Sequence, residues 1–506
     1  MRRYILLNII FFFSSTFILS QEIESNKIIE LNEINFKQNL IDFLEYLKIP
    51  NQSTNVSGLE SNNQFLDSIF IDLKFKTKSI YFQDTPYFYA ESKTNHKQSI
   101  LFYIQLDGLP VDNSLWNQSD AFMPLIKKKK DTIFSVSELE NAVKNPKEHY
   151  VFARSSSDSK GPVFSLVSAL KIIKENNIKI PYNIKIIGDY QEELGSPTIK
   201  NFVSNNINLL KADGLIIMDG TRHISNLPTL TFGARGIATL NIKYYGPYNN
   251  LHSGQYGNLA PNPIFEISRL IAGMKDENGR VLIPGYYDGI KFNNNDLKYF
   301  ESLNESFDEI ANQIGVKQSE KISDYVQQAF HYPSLNIRGI NSGWTGEEAR
   351  NIIPNLVNVD LEMRLVPEIP ARKQIDLIRK YIESQGFTIL DRPPSNSERN
   401  NNIKIIELKE RIGSTAFRTS INSSFGRWLE SSIVNVLGEN IIKASTTGGS
   451  QPISSFINEL NIPAISVRIP NPDNNIHGPN ENININNFKE GILICLSILT
   501  SKYEQF

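Results

Sequence analysis

Acidic residues, amides and a histidine recur at short polar turns along this chain, in the company of glycine and serine. They fall in Gln105-Leu106-Asp107-Gly108, in Ala153-Arg154-Ser155-Ser156-Ser157-Asp158-Ser159-Lys160-Gly161, in Gln191-Glu192-Glu193-Leu194-Gly195-Ser196, in Met218-Asp219-Gly220, and in Asn474-Asn475-Ile476-His477-Gly478-Pro479-Asn480-Glu481. Carboxylate oxygens together with an imidazole nitrogen make the mixed donor set that divalent metal ions take. One carboxylate could bridge two ions while a neighbouring glutamate takes a proton from an activated water. Singly, each residue has a plainer explanation: a pair such as Glu192-Glu193 is usually solvated, and Asp158 alone would serve as a helix N-cap. Their joint placement after strands is what points to metal-assisted hydrolysis.

The elements that position these turns alternate. Short apolar strands are predicted over Ser99–Leu106, Ile184–Ile187 and Leu215–Met218, with helices over Val163–Glu175 and Thr198–Asn205. Strand and helix in turn indicate a mostly parallel α/β sheet, where ligands gather at the carboxyl ends of strands. After Arg235-Gly236 the order becomes strand (Ile237–Tyr244), helix (Pro263–Met274), strand (Leu335–Ile340), strand (Leu356–Leu365), helix (Ala371–Ser384), strand (Phe387–Leu390), a ferredoxin-like α+β unit. Residues 275–333 read as a polar insertion decorating that second lobe, and Arg392–Asn402 as a linker back to the first. Helices near Phe425–Leu437 and Asn487–Thr500, with the strand Ala464–Val467, complete the first domain. Lys127–Lys130 reads as a solvated loop.

With 506 residues the chain is long enough for two or three domains. Its 52 basic residues against 54 acidic ones leave no global charge to draw it onto nucleic acid or an anionic membrane. Residues 1–20 have the form of an export signal, with Arg2 and Arg3 ahead of the apolar run Ile5–Leu19 and cleavage expected after Ser20. That predicts a periplasmic or secreted protein with no stable membrane anchor once cleaved. The single cysteine, Cys495, lies in the apolar Gly491–Leu496 and is expected to pack in the core.

The ordered motifs from Gln105 through Ser155-Ser156-Ser157-Asp158-Ser159-Lys160-Gly161, Glu192-Glu193-Leu194-Gly195-Ser196, His252-Ser253-Gly254, Arg364-Leu365-Val366-Pro367, Gly448-Gly449-Ser450 and His477-Gly478-Pro479-Asn480-Glu481 resemble the dinuclear zinc exopeptidases. That group holds carnosinase, cytosolic non-specific dipeptidase, aminoacylase and succinyl-diaminopimelate desuccinylase, and the resemblance runs from Lys27 to the C-terminus. It implies a catalytic domain over 27–235 and 403–506, interrupted by a lid and dimerisation domain over 236–395. It further implies that Asp158 bridges two metals, that Glu193 and His477 complete one site, and that Asp219 belongs to the other. Glu192 would be the general base. His252 would stabilise the oxyanion, often from the partner subunit of a homodimer, and Arg364 would pair with the substrate carboxylate, with Asn351, Gly449 and Ser450 contacting substrate.

The family's first metal motif, His-x-Asp, here reads Gln105-Leu106-Asp107. Asp107, which in the family orients the missing imidazole, is expected to accept from the Gln105 amide and turn its carbonyl oxygen toward a metal. One or two zinc ions are implied, with Mn2+ or Mg2+ suited to an oxygen-rich second site. Hydrolysis of dipeptides or short peptides bearing a free carboxylate is the activity implied, because His252-Ser253-Gly254 and Ala416-Phe417-Arg418-Thr419 look like the carnosinase branch. N-acyl-amino-acid deacylation and a catalytically silent exported binding or scaffold protein are the alternatives.

Overall fold

The structure is a computed structural model that describes residues 24–503 apart from 84 and 403. The expected export signal at 1–20 lies outside the described residues. Among those described, no helix is long and apolar enough to cross a membrane.

The first domain is built on an eight-stranded sheet whose centre is parallel. Strand Ser99–Gln105 runs parallel to Asn183–Asp189 on one side and to Gly214–Ile217 on the other, and Ala464–Arg468 continues parallel beyond Gly214–Ile217. All four are largely buried, which is why they read as mostly apolar runs. Their carboxyl ends therefore lie side by side, and Gln105, Glu192, Asp219 and Arg468 are found at or just beyond them. Antiparallel strands flank this centre, so the sheet is mixed at its edges.

Helices Lys160–Glu175 and Ile485–Thr500 cover the sheet with most of their residues buried, Cys495 included. Helix Ser25–Leu47 joins them although the turn motifs give no hint of it. Its Phe36, Leu40, Phe43 and Leu47 recur at helical spacing on one face and are fully or almost fully buried. Phe43 stacks on Phe488 with ring centroids 4.5 Å apart, tying the N-terminal helix to the C-terminal one.

Lys127–Lys130 belongs to a strand rather than a loop. Leu125–Lys130 pairs antiparallel with Ile133–Val136 and with His149–Phe152, in a separate four-stranded sheet. Strand alternation sets Lys127 and Lys129 on one face, where their ammonium groups lie 4.2 Å from the centre of the Phe152 ring and 5.6 Å from that of Tyr150, while Lys128 turns outward to Glu148.

The second domain holds a five-stranded sheet ordered Ser334–Asn341, Leu356–Leu365, Gly236–Tyr245, Ile405–Ile412, Thr388–Leu390, with helices Pro263–Ala272 and Ala371–Ser384 against it. The ferredoxin-like order is thus widened by one strand. Ile405–Ile412 slots in beside Gly236–Tyr245, from Ala238↔Ile412 to Tyr245↔Ile405. The return to the first domain consequently falls near Gly413 and not at 395–403. The expected linker holds a short capped helix, Asn396–Asn401, whose Ser395 and Glu398 form a capping box.

The insertion does more than decorate the second domain. The Tyr299 hydroxyl donates to the Lys443 carbonyl and accepts from the Ser445 amide, His331 Nε2 meets Ser445 Oγ at 3.0 Å, and Glu305 pairs with His223 at 3.2 Å. Residues 299–331 therefore strap the second domain onto the first.

Candidate metal centre and substrate site

Three expected ligands converge. Donor atoms of Asp158, Glu193 and His477 all lie within 4.8 Å of one another. His477 Nε2 is 3.2 Å from Asp158 Oδ2 and 3.7 Å from Glu193 Oε2. His477 adopts a left-handed backbone conformation (φ 64°) at the tip of the Asn474–Glu481 turn, which aims its ring back at the strand ends. Two carboxylates and one imidazole, with room left for a further ligand, fit a zinc-type site.

The Asp158 turn is held from behind. Glu481 is buried, and its Oε1 accepts from the amides of Ser157 and Asp158 and from Ser157 Oγ. Its Oε2 accepts from the Ser155 amide and from Arg154 Nη1 at 3.0 Å. The Asp158–Ser159 peptide is cis. Glu481 stands in the last motif, yet nothing in its spacing told that its work is to fix Asp158.

Asp107 acts on the glutamate pair instead of on Gln105. Its two carboxylate oxygens accept from the amides of Glu192 (3.0 Å) and Glu193 (3.1 Å). These N–H groups open the short turn Glu192–Leu194 and have no partner within it, so an acceptor on the neighbouring strand end captures them. The Gln105 amide meanwhile donates from Nε2 to Glu193 Oε1 at 3.1 Å. Its N–H side faces the carboxylates, contrary to the expectation that a carbonyl oxygen would face a metal.

Negative charge accumulates here. Burial first, then the charges of Asp219, Asp158 and Glu193, push the Glu192 carboxyl well above its usual range. Glu193 is pushed up to about 8 by burial and by Asp158, against the opposing pull of His477. Asp107 is likewise pushed up to about 8, by burial and by Asp189. Such a cluster calls for a cation, since like-charged carboxylates out of water cannot all ionise unaided.

Asp219 lies one strand away. Its Oδ1 accepts from Ser159 Oγ at 2.9 Å and its Oδ2 from Gln451 Nε2 at 3.1 Å; burial and then the Asp158 charge push its carboxyl above the usual range, against the opposing pull of Arg468. None of these partners was apparent from the sequence.

The substrate-contact residues divide into two groups. Arg364 leaves the strand Leu356–Leu365 with Nε on Glu362 (3.0 Å) and Nη1 on Ser450 Oγ (3.0 Å). The Arg235 guanidinium joins it, with Nε donating to the Gly448 carbonyl at 2.9 Å, while the Arg235 amide donates to the Gly449 carbonyl at 3.1 Å. Burial and the nearby Arg364 charge lower Arg235 to about 10. Two guanidinium groups thus gather on one glycine-rich loop, and Arg235 is the member that sequence reasoning missed. His252 and Asn351 form the second group. The Ser253 amide donates to the Asn351 carbonyl at 3.0 Å, and His252 Nδ1 accepts from Gly254. Both residues are exposed, and His252 makes no contact with the acidic cluster among the described residues.

His149 and His331 have structural roles. His149 is bound to Asn145 and Ser137, and His331 is held neutral, its pKa lowered to about 3 by burial and by Arg418.

A mixed α/β domain with ligands at its strand ends, and a second domain inserted into it, defines a two-domain metallohydrolase. Residues 131–501 match the model of peptidase family M20/M25/M40, and the chain belongs to that family. It is 26% identical over 349 residues to the Cys-Gly metallodipeptidase DUG1 of Candida albicans, covering 67% of this chain and 69% of that protein. It is 23% identical over 349 residues to the human Beta-Ala-His dipeptidase, covering 67% of this chain and 66% of that one. The crystal structure of the M20 family metallo-carboxypeptidase Sso-CP2 from Sulfolobus solfataricus superposes with a TM-score of 0.75 at 25% identity, over 91% of this chain and 98% of that chain.

Proposed function

We propose that the protein hydrolyses amide bonds in dipeptides or short peptides that carry a free carboxylate. The observation that carries this is the meeting of Asp158, Glu193 and His477 beside Glu192, with the Arg364 and Arg235 guanidinium groups on the loop opposite. Metallodipeptidases among the relatives support the substrate class.

Asp158, Glu193 and His477 would hold the cation, with zinc favoured by the one-nitrogen, two-oxygen donor set. A bound divalent ion there supplies Lewis-acid polarisation of the scissile carbonyl and lowers the pKa of water. Glu192 takes the proton from the attacking water and delivers it to the departing amine. A carboxyl pushed upward by burial and by its neighbours is a stronger base than an ordinary glutamate. Asp107 fixes the backbone of Glu192 and so aims the base. Arg364, with Arg235 behind it, clamps the substrate carboxylate and sets which amide reaches Glu192.

His252 would stabilise the oxyanion from a second copy of the chain. Its exposure and its distance in contact terms from its own acidic cluster support this. So does the unpaired edge strand Ser334–Asn341, whose exposed Ile337 and Ile340 offer a surface for a homodimer. We further propose export through residues 1–20, on the strength of Arg2, Arg3 and the apolar run that follows. Glu192→Ala tests the central assignment. Turnover of a small dipeptide panel is expected to fall below about 1% of wild type while bound metal, measured by mass spectrometry, stays unchanged. Full activity in that variant would remove Glu192 as the base.

A further inference from the structure

The position that the family resemblance gives to a second metal ion lies between Asp158 and Asp219, and there the chain's own groups have closed in. The residue at the lost histidine, Gln105, presents N–H and not a lone pair to the cluster. Both Asp219 oxygens already accept hydrogen bonds, from Ser159 and Gln451. Arg468 is the decisive neighbour. It ends the buried strand Ala464–Arg468 and is only 6% exposed.

Its guanidinium is packed in tightly. Nε donates to Thr231 Oγ1 at 3.2 Å, and Nη1 lies so close over Gly220 that a Cβ there would sit 1.2 Å from it. Gly220 also has φ 92°, so glycine is required twice over, for backbone conformation and for space. Nη2 is buried with no hydrogen-bond partner. A buried guanidinium cannot shed its proton, and the charges that favour it are those of Asp219 and Asp158.

We propose that Arg468 replaces the second metal ion, so that the chain works with a single divalent cation on Asp158, Glu193 and His477 while the guanidinium supplies a fixed positive charge beside Asp219. The inference rests on the metallopeptidase reading and narrows it. Arg468 is a positioning residue in this account. It places a fixed positive charge over Gly220, next to Asp219, and repels a second dication from the same pocket.

The test is a metal count on the full chain, stripped with chelator and dialysed against Zn2+ or Mn2+. Wild type is expected to bind one equivalent, and Gln105→His alone is expected to stay at one because the guanidinium still stands in the way. Gln105→His/Arg468→Met is expected to rise to two. Electron paramagnetic resonance of the Mn2+ forms should show an isolated ion in wild type and a coupled pair in the double variant, a readout that a merely structural arginine would not move. Should the Met variant not fold, Gln105→His/Arg468→Gln, whose amide can still reach Thr231, carries the same expectation. Two equivalents in wild type would overturn the inference and leave the hydrolase reading intact. A folded double variant that still binds one would also overturn it. No bound metal in wild type would overturn the hydrolase reading itself.

Discussion

Glu481→Gln should loosen the metal centre from a position that touches no metal. In the native protein Glu481 accepts hydrogen bonds from the amides of Ser155, Ser157 and Asp158, from the Ser157 hydroxyl and from Arg154, with 1% and 5% side-chain exposure for Glu481 and Arg154. An amide in place of the carboxylate turns one acceptor oxygen into a donor. If that is the oxygen facing Arg154 and the Ser155 amide, both bonds are lost and a guanidinium is left buried without its counter-charge. Breaking a buried ion pair from one side costs about 3–5 kcal/mol. Because these bonds set the Asp158 turn, cation affinity should fall by roughly 10–100-fold, the usual effect of removing a residue that orients a ligand. Urea denaturation gives the first number, chelator competition the second, and hydrogen exchange at the amides of residues 155, 157 and 158 localises the change. Adding Arg154→Met should recover part of the stability, since removing both charges costs less than stranding one. A loss under about 1 kcal/mol with unchanged exchange would refute the view that this buried pair braces the metal turn.

Cation binding should release protons and tighten with rising pH up to about 8, because Glu193 and Asp107 are both pushed up to about 8 without an ion; calorimetry in buffers of different ionisation enthalpy would read it. The sign for stability is fixed by the same shift. Carboxyls whose folded pKa is raised stabilise the metal-free fold fully below their unfolded pKa and cease to do so as pH rises through about 8, so apo-protein should melt at progressively lower temperature over that interval and the loaded protein should not. Co-expressed Glu192→Ala and His252→Ala chains should recover about a quarter of wild-type activity if the histidine acts across a two-fold dimer, and none if it acts within its own subunit. Arg364→Ala should raise KM for carboxylate-bearing dipeptides by about 10–100-fold, from the loss of a charged hydrogen bond, with little effect on substrates amidated at that end.

The grouping of Asp158, Glu193 and His477 was legible because each stands in a polar, glycine-containing motif whose order along the chain resembles one family, and their donor atoms do lie within 4.8 Å of one another. What surrounds them was not, for a physical reason. Arg468, Gln451 and Arg235 acquire their roles through contacts with residues more than 200 positions away, or through the burial of a charge, and neither leaves a local pattern. Asp107 shows a subtler limit: it was expected to accept from the Gln105 amide, but the amides at the start of the Glu192 turn take its oxygens instead. In the second domain, Ile405–Ile412 was read as part of the return because the Pro- and Asn-rich segment before it has the composition of a linker. Lys127–Lys130 hid a strand behind its charges, since the alternation that lays Lys127 and Lys129 over aromatic rings is invisible in a run of identical residues.

The route by which the chain enters and leaves the second domain limits how that domain can move. Gly233–Ala234 pairs with Phe417–Arg418, the Ile237 amide donates to the Ser414 carbonyl, the Gly413 amide donates to the Ile237 carbonyl, and the pairing continues into Gly236–Tyr245 against Ile405–Ile412. At Gly236 the two strands run so close that a Cβ would stand 2.6 Å from Ser414 O and from Ala416 N. The joint is therefore a single hydrogen-bonded ribbon and not a pair of independent tethers. A ribbon twists and bends easily but does not let its strands slide, so any movement of the second domain that the 299–331 strap allows would be a rocking about one line. Arg235 sits on that line with its side chain on the glycine loop, which ties the position of that loop to the angle of the second domain.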